Sequence, residues 1–187
     1  MATATTRGTA TLDDLLRVEG KAELIGGRII HYDMTGHRPN LVAGEIHYSL
    51  KTHVKTTRHG FAYTDNIGFV VPELRSGRQS FSPDAAYYDG PPPARAMRFV
   101  SGPPKLAIEV RSENDYGPAA ERAMALKRAD YFAAGTLVVW DVDPEADCIH
   151  AYAREAPDRP VTFLKGQVAE AEPAVPGWRV AVDDIFA

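Results

Sequence analysis

Two apolar runs, Lys105–Val110 and Leu137–Val142, flank an Ala-rich helical segment from Pro118 to Ala134 that Gly135 closes. This order constrains the fold more than any other feature of the chain. The runs are short and rich in Val, Ile and Leu, so they read as strands buried in a sheet. The segment between them carries Leu126 and Phe132, and a glycine just past its end suits a helix C-cap. The same alternation extends in both directions. Thr11 stands before Leu12-Asp13-Asp14-Leu15-Leu16, a hydroxyl cap followed by first-turn acids. Glu23–Ile25 and Arg28–Ile30 surround Gly26-Gly27, the signature of a tight β-hairpin. A helix is expected from about Asn40 to Lys55, with Leu41, Ile46, Leu50 and Val54 as its buried stripe and His37 in the turn before it. Phe61–Thr64, Ile67–Val71 and Phe81–Tyr88 read as strands, the last running through Pro83, and Asp89–Pro104 as a surface loop. Cys148–Ala153 is a further strand, and the tail holds Thr162–Leu164, a Pro176-Gly177 turn and an apolar finish at Val180, Val182, Ile185 and Phe186. The expected class is α/β: a central mixed β-sheet flanked by helices, with a β-rich C-terminal tail.

A length of 187 residues suits one domain. It is expected to span 11–187, behind a polar, Thr-rich flexible N-terminus at 1–10 that lacks the apolar stretch of a signal peptide. No run approaches the ~18 apolar residues of a membrane span, so no membrane association and a cytoplasmic location are expected. With 21 Lys+Arg against 25 Asp+Glu, the net charge of −4 excludes a protein that coats nucleic acid by charge alone. It leaves room for an enzyme that meets nucleic acid at a local site with metal ions. The lone Cys148 excludes internal disulfides and four-cysteine zinc sites, and nothing beside it lowers its pKa, so it reads as structural. HExxH, GxGxxG, P-loop and GxSxG patterns are absent.

Chemistry concentrates in a few acids and one lysine. Asp84 follows Pro83, and Glu109 follows the apolar Leu106-Ala107-Ile108. Acids on buried strands need a partner or a cation. If the two strands are neighbours, both carboxylates converge on one point and offer the hard oxygen donors that Mg²⁺ or Mn²⁺ prefers. Glu23, before Leu24-Ile25, would join them. The same spacing equally suits acids that meet water or pair with Lys or Arg. Lys127 and Tyr131 are four apart and share a helix face. If that face packs on the sheet, the ammonium reaches the carboxylates and stabilises charge on a phosphoryl group; otherwise Lys127 is a solvated surface lysine. His37 is a candidate for substrate contact at the rim, or a plain turn histidine.

Several motifs occur in a telling order: Ala22-Glu23-Leu24-Ile25-Gly26-Gly27-Arg28-Ile29, Ser82-Pro83-Asp84-Ala85-Ala86-Tyr87, Leu106-Ala107-Ile108-Glu109-Val110-Arg111-Ser112 and Lys127-Arg128-Ala129-Asp130-Tyr131-Phe132. Leu137–Pro144 and Pro176-Gly177-Trp178 follow. This set resembles the Uma (type two) family, assigned as endonucleases of the restriction-endonuclease-like superfamily with the PD-(D/E)XK signature. The resemblance covers roughly Thr11 to Phe186. It implies a restriction-endonuclease-like fold and metal-dependent hydrolysis of phosphodiester bonds in nucleic acid, with DNA as the expected substrate. By resemblance, Asp84 is the motif aspartate, Glu109 the second acid and Glu23 the early acid of the hairpin. Asp84 and Glu109 would hold Mg²⁺ (or Mn²⁺), with the Val110 carbonyl as a further ligand and Glu23 completing the shell or orienting a water. Arg111 stands where the superfamily normally has its lysine. Arginine does not readily shed a proton, and Lys127 on the following helix would take the lysine's part, oriented by Tyr131. His37, Arg111 and Tyr131 are the further candidates for substrate contact. Arg95, Arg98, Lys105, Arg111, Arg122, Lys127 and Arg128 make a basic cluster by sequence. A homodimer is expected, and the apolar tail (Trp178, Ile185, Phe186) packs either on its own core or on a second subunit. Two alternatives remain: a catalytically inactive binding or assembly module on the nuclease fold, and a hydrolase of a small phosphorylated compound.

Overall fold

A computed structural model describes residues 3–4 and 9–187. Of the segment expected to be a flexible N-terminus, residues 1, 2 and 5–8 lie outside the described residues. The elements run β1 (Thr3–Ala4), α1 (Leu12–Leu15), β2 (Ala22–Ile25), β3 (Arg28–His31), α2 (His37–Thr57), β4 (Phe61–Thr64), β5 (Phe69–Val70), β6 (Ser80–Phe81) and β7 (Ala85–Tyr88). They continue with β8 (Val100–Ser101), β9 (Leu106–Val110), α3 (Pro118–Ala134), β10 (Val138–Asp143), β11 (Cys148–Ala153), β12 (Ala156–Leu164), β13 (Val168–Glu170), β14 (Arg179–Ala181) and α4 (Val182–Ile185).

Six strands form the central sheet in the order β12-β11-β10-β9-β7-β4. β9 and β10 are parallel, because α3 carries the chain back between them, and the other neighbours are antiparallel. Strand alternation then divides the core. Leu106, Ile108 and Val110 of β9 pack with Val42, Ile46, Leu50 and Val54 of α2 and with the C-terminal tail. Ala107 packs on the opposite face with Val139 and with Tyr131 of α3. Glu109, two residues on from Ala107, therefore faces α3, and its register partner Asp141 on β10 shares that face. Trp178 stacks on Trp140 with ring centroids 5.0 Å apart, and Ile185 and Phe186 are buried in the same core. The apolar tail thus packs on its own domain.

Local chemistry explains most element ends. Gly26 and Gly27 have φ of 55° and 66°, the left-handed pair that a type I′ hairpin turn requires. Gly135 caps α3 at φ 112°. Thr11 Oγ1 accepts the Asp14 N–H at 3.2 Å while Asp14 Oδ2 accepts the Thr11 N–H at 2.9 Å, a complete capping box. Thr11→Ala is expected to cost about 1 kcal/mol, read as a lower urea midpoint at unchanged slope.

Four sequence expectations shift. His37 opens α2 behind the N-cap Gly36 instead of lying in a turn before it. Leu41 is 52% exposed, and Val42 heads the buried stripe. Val42, Ile46, Leu50 and Val54 repeat every four residues, and Leu41 sits about 100° around the helix from Val42. Asp84 lies just before β7, its N–H donating to the Ile108 carbonyl at 3.0 Å. The Asp89–Pro104 loop contains β8, which pairs parallel to β5. Among the described residues no helix is long and apolar enough to cross a membrane.

Candidate active site

The junction of β7, β9 and α3 brings Asp84, Glu109 and Lys127 to one cavity of about 620 Å³. Asp84 Oδ2 accepts the Val110 N–H at 2.7 Å, so the backbone of β9 fixes its carboxylate beside Glu109. Its Oδ1 accepts from Lys21 Nζ at 2.5 Å, and Lys21 also reaches Asp65 at 2.7 Å. Glu109 is held from α3: Lys127 Nζ donates to Oε2 at 2.8 Å and the Tyr131 hydroxyl to Oε1 at 2.7 Å. The i, i+4 spacing of Lys127 and Tyr131 therefore serves a single carboxylate.

Glu23 lies fully buried behind Lys127. Its Oε1 accepts the Ser82 N–H at 2.9 Å and lies 3.2 Å from Lys127 Nζ. Its Oε2 accepts from the Tyr32 hydroxyl at 2.7 Å and from the Arg78 guanidinium. Glu23 is fully buried and, unlike Asp84 and Glu109, does not line the cavity, so it anchors Lys127 and Arg78 from behind, a different part from the expected completion of a metal shell. Burial opposes its ionisation, but Lys127, Arg78, Tyr32 and Ser82 together outweigh burial and hold its pKa down at about 2. Burial pushes Glu109 above the usual carboxylate range, with Lys127 opposing and Asp84 adding to the rise. Burial also works against the Lys127 ammonium, yet Glu109, Glu23 and Tyr32 raise its pKa above the ordinary lysine value. Lys127 is accordingly a fixed cation at this site.

The donor set fits a hard divalent cation. Asp84, just before β7, and Glu109 of the neighbouring β9 supply carboxylate oxygens, and Val110 lines the same cavity. Mg²⁺ is commonly held by one or two carboxylates and retains several waters. Among the described residues no group of three or more His, Cys, Asp and Glu side chains forms a metal cage, so a cation here would rest on two acids.

The remaining candidates fall elsewhere. Arg111 is gripped by Asp141 at 2.7 and 2.9 Å and by Glu121 at 2.5 and 3.2 Å, which ties its guanidinium into the fold at the cavity wall. Tyr131 is fully buried, stacks on Phe81 with centroids 4.1 Å apart and positions Glu109. The cavity lining includes Met34 and Thr35 but not His37. The basic cluster read from the sequence divides. Arg98 pairs with Asp13 at 3.8 Å and Lys105 with Asp89 at 4.0 Å. Lys105 also precedes β9, about 13 Å along the strand from Glu109.

Lys21 and Arg78 are the residues that sequence reasoning missed. Lys21 stands two positions before Glu23, and the strand period placing both on one side was a usable signal. Arg78 lies in a loop outside any periodic pattern, and only the folded chain brings its Nε to Asp130 at 2.9 Å.

No functionally curated protein matches the chain. A crystal structure described as "a putative nuclease belonging to DUF820 from Anabaena variabilis" matches at a TM-score of 0.72 and 19% identity, covering 94% of this chain and 97% of that one. That likeness bears out the expected α/β fold with its central mixed sheet. A family model described as "Uma2: Putative restriction endonuclease" matches residues 11–183, nearly the whole chain, and the chain belongs to that family.

Proposed function

We propose that the chain is a metal-dependent endonuclease that hydrolyses phosphodiester bonds of DNA with Mg²⁺ or Mn²⁺. One observation carries the reading: Asp84, just before β7, and Glu109 of β9 meet Lys127 of α3 at a single cavity. Asp84 and Glu109 would hold the cation with the Val110 carbonyl. When bound, such a cation acts as a Lewis acid on a phosphate oxygen and makes water a stronger acid. Lys127, held by Glu109 and Glu23, stabilises the negative charge that grows on the phosphoryl oxygens. Tyr131 and Glu23 are positioning residues: the first fixes Glu109, the second fixes Lys127.

Calorimetry with Mn²⁺ tests the reading directly. One binding site is expected in the wild type and none in Asp84→Ala or Glu109→Ala. Absence of binding in the wild type would favour the second reading, a catalytically inactive binding or assembly module, which the locked state of Arg111 supports. Lys127→Met is expected to lower the rate of cleavage by about 10²-fold. Its effect falls on kcat more than on KM, because the charge it stabilises develops in the transition state.

A further inference from the structure

We propose that the cavity receives an unpaired nucleotide, so that the substrate is a single strand or an unpaired stretch within a duplex. This rests on the nuclease reading and narrows its substrate class. Charge is the first argument. A protein that binds duplex through the backbone offers free Lys and Arg to several phosphates. Among the described residues, the five cations lining this cavity each face a carboxylate: Lys21 faces Asp84, Arg78 faces Glu23, Lys127 faces Glu109, and Arg111 and Arg128 face Asp141. With a net charge of −4 as well, this cavity offers little free positive charge to phosphates, and affinity there draws on other contacts.

The walls supply that source. Ala119, Ala120 and Ala123 line one side, and their small side chains leave room against α3. The rings of Tyr32 and Tyr116 line the cavity too. Their hydroxyls are fixed to Glu23 at 2.7 Å and to Asp143 at 2.9 Å, so the rings are held in place. Fixed aromatic rings are the surfaces on which unpaired bases stack. Asn114, in the loop before α3, adds hydrogen-bonding groups for a base edge.

Depth is the second argument. The Asp84, Glu109 and Lys127 side chains are only 15–18% exposed. A phosphate that reaches them enters the cavity with its nucleotide. The volume of about 620 Å³ lies within the ~300–1,000 Å³ of pockets that enclose a small ligand. A paired base must first leave its stack, which costs free energy that an unpaired base does not lose. Met34, 99% exposed at the rim, offers an apolar contact for the next base along the strand, which favours a polymer over a free nucleotide.

Fluorescence anisotropy in EDTA separates these ideas from hydrolysis. The probes are a labelled single strand of about 20 nucleotides, longer than a ~4–16-nucleotide site, the matched duplex, and that duplex with a central unpaired bubble. The single strand and the bubble are expected to bind at least about tenfold more tightly than the duplex. Ala123→Phe, at an exposed α3 position, is expected to fill the cavity and abolish the preference while its melting temperature stays within a few degrees of wild type. Equal or tighter duplex binding, an unchanged preference in Ala123→Phe, or thymidine monophosphate competing as well as the strand would overturn the proposal. Equal binding alongside Asp84-dependent cleavage would leave the nuclease reading standing without it. Single-strand preference without any cleavage would do the reverse.

Discussion

Asp84→Ala is expected to abolish phosphodiester cleavage, lowering the rate by at least about 10³-fold, while the chain still folds. Asp84 contributes to the fold through two hydrogen bonds, from Val110 N–H and from Lys21. Neither donor is stranded by its removal. Lys21 keeps Asp65 at 2.7 Å, and the Val110 N–H opens toward a cavity that water can enter. The loss to stability is therefore about 1–2 kcal/mol, small beside the loss of function. The functional loss is large because Asp84 supplies one of the two carboxylates proposed to hold the cation. Without it Glu109, itself held by Lys127 and Tyr131, is left as a single carboxylate for the cation. The measurement is cleavage of labelled DNA in Mg²⁺ beside a thermal melt of both proteins. Mg²⁺-dependent nicking retained in Asp84→Ala would sink the assignment. Cleavage lost together with the melting transition would trace the effect to folding.

The legible part of the site follows two periodicities. The strand period predicts that Glu109 leaves the apolar face that Leu106 and Ile108 occupy. The helix period predicts that Lys127 and Tyr131 point the same way. When β9 and α3 pack, both statements become contacts to one carboxylate. What escaped reading depends on contacts between distant segments. Lys21 and Asp84 are 63 residues apart, Arg78 and Glu23 are 55 apart, and no local pattern couples them. The capture of Arg111 needed the register of β10 on β9, which sets Asp141 beside Glu109. Leu41 misled for a different reason: hydrophobicity alone put it in the stripe, and the four-residue spacing from Val42 excluded it.

Arg78→Met is expected to destabilise the fold by about 3–5 kcal/mol, the usual consequence of removing one member of a buried ion pair. Arg78 donates to Glu23 and to Asp130 and lies over the Phe81 ring at 5.1 Å. Its loss leaves the fully buried Glu23 with Lys127 as its remaining cation. The pH dependence has a definite sign. Glu23 falls from an ordinary value of 4.5 to about 2 in the folded chain. A carboxylate with a depressed folded pKa stabilises the fold above its unfolded pKa and loses that contribution as pH falls through the folded value. For Glu23 the contribution is about 3 kcal/mol, complete above pH 4.5 and lost toward pH 2. Without Arg78 the folded pKa of Glu23 rises and this contribution shrinks. The deficit of the variant is therefore greatest near neutral pH and narrows as acid protonates Glu23 in both states. Urea unfolding at pH 7 and at pH 4 measures it. The double variant Glu23→Gln/Arg78→Met is expected to recover part of the loss at pH 7, because a neutral amide does not require the missing cation. A single variant within about 1 kcal/mol of wild type, or a double variant worse than the sum of its parts, would show that the pair is not what holds β2 to the loop before β6.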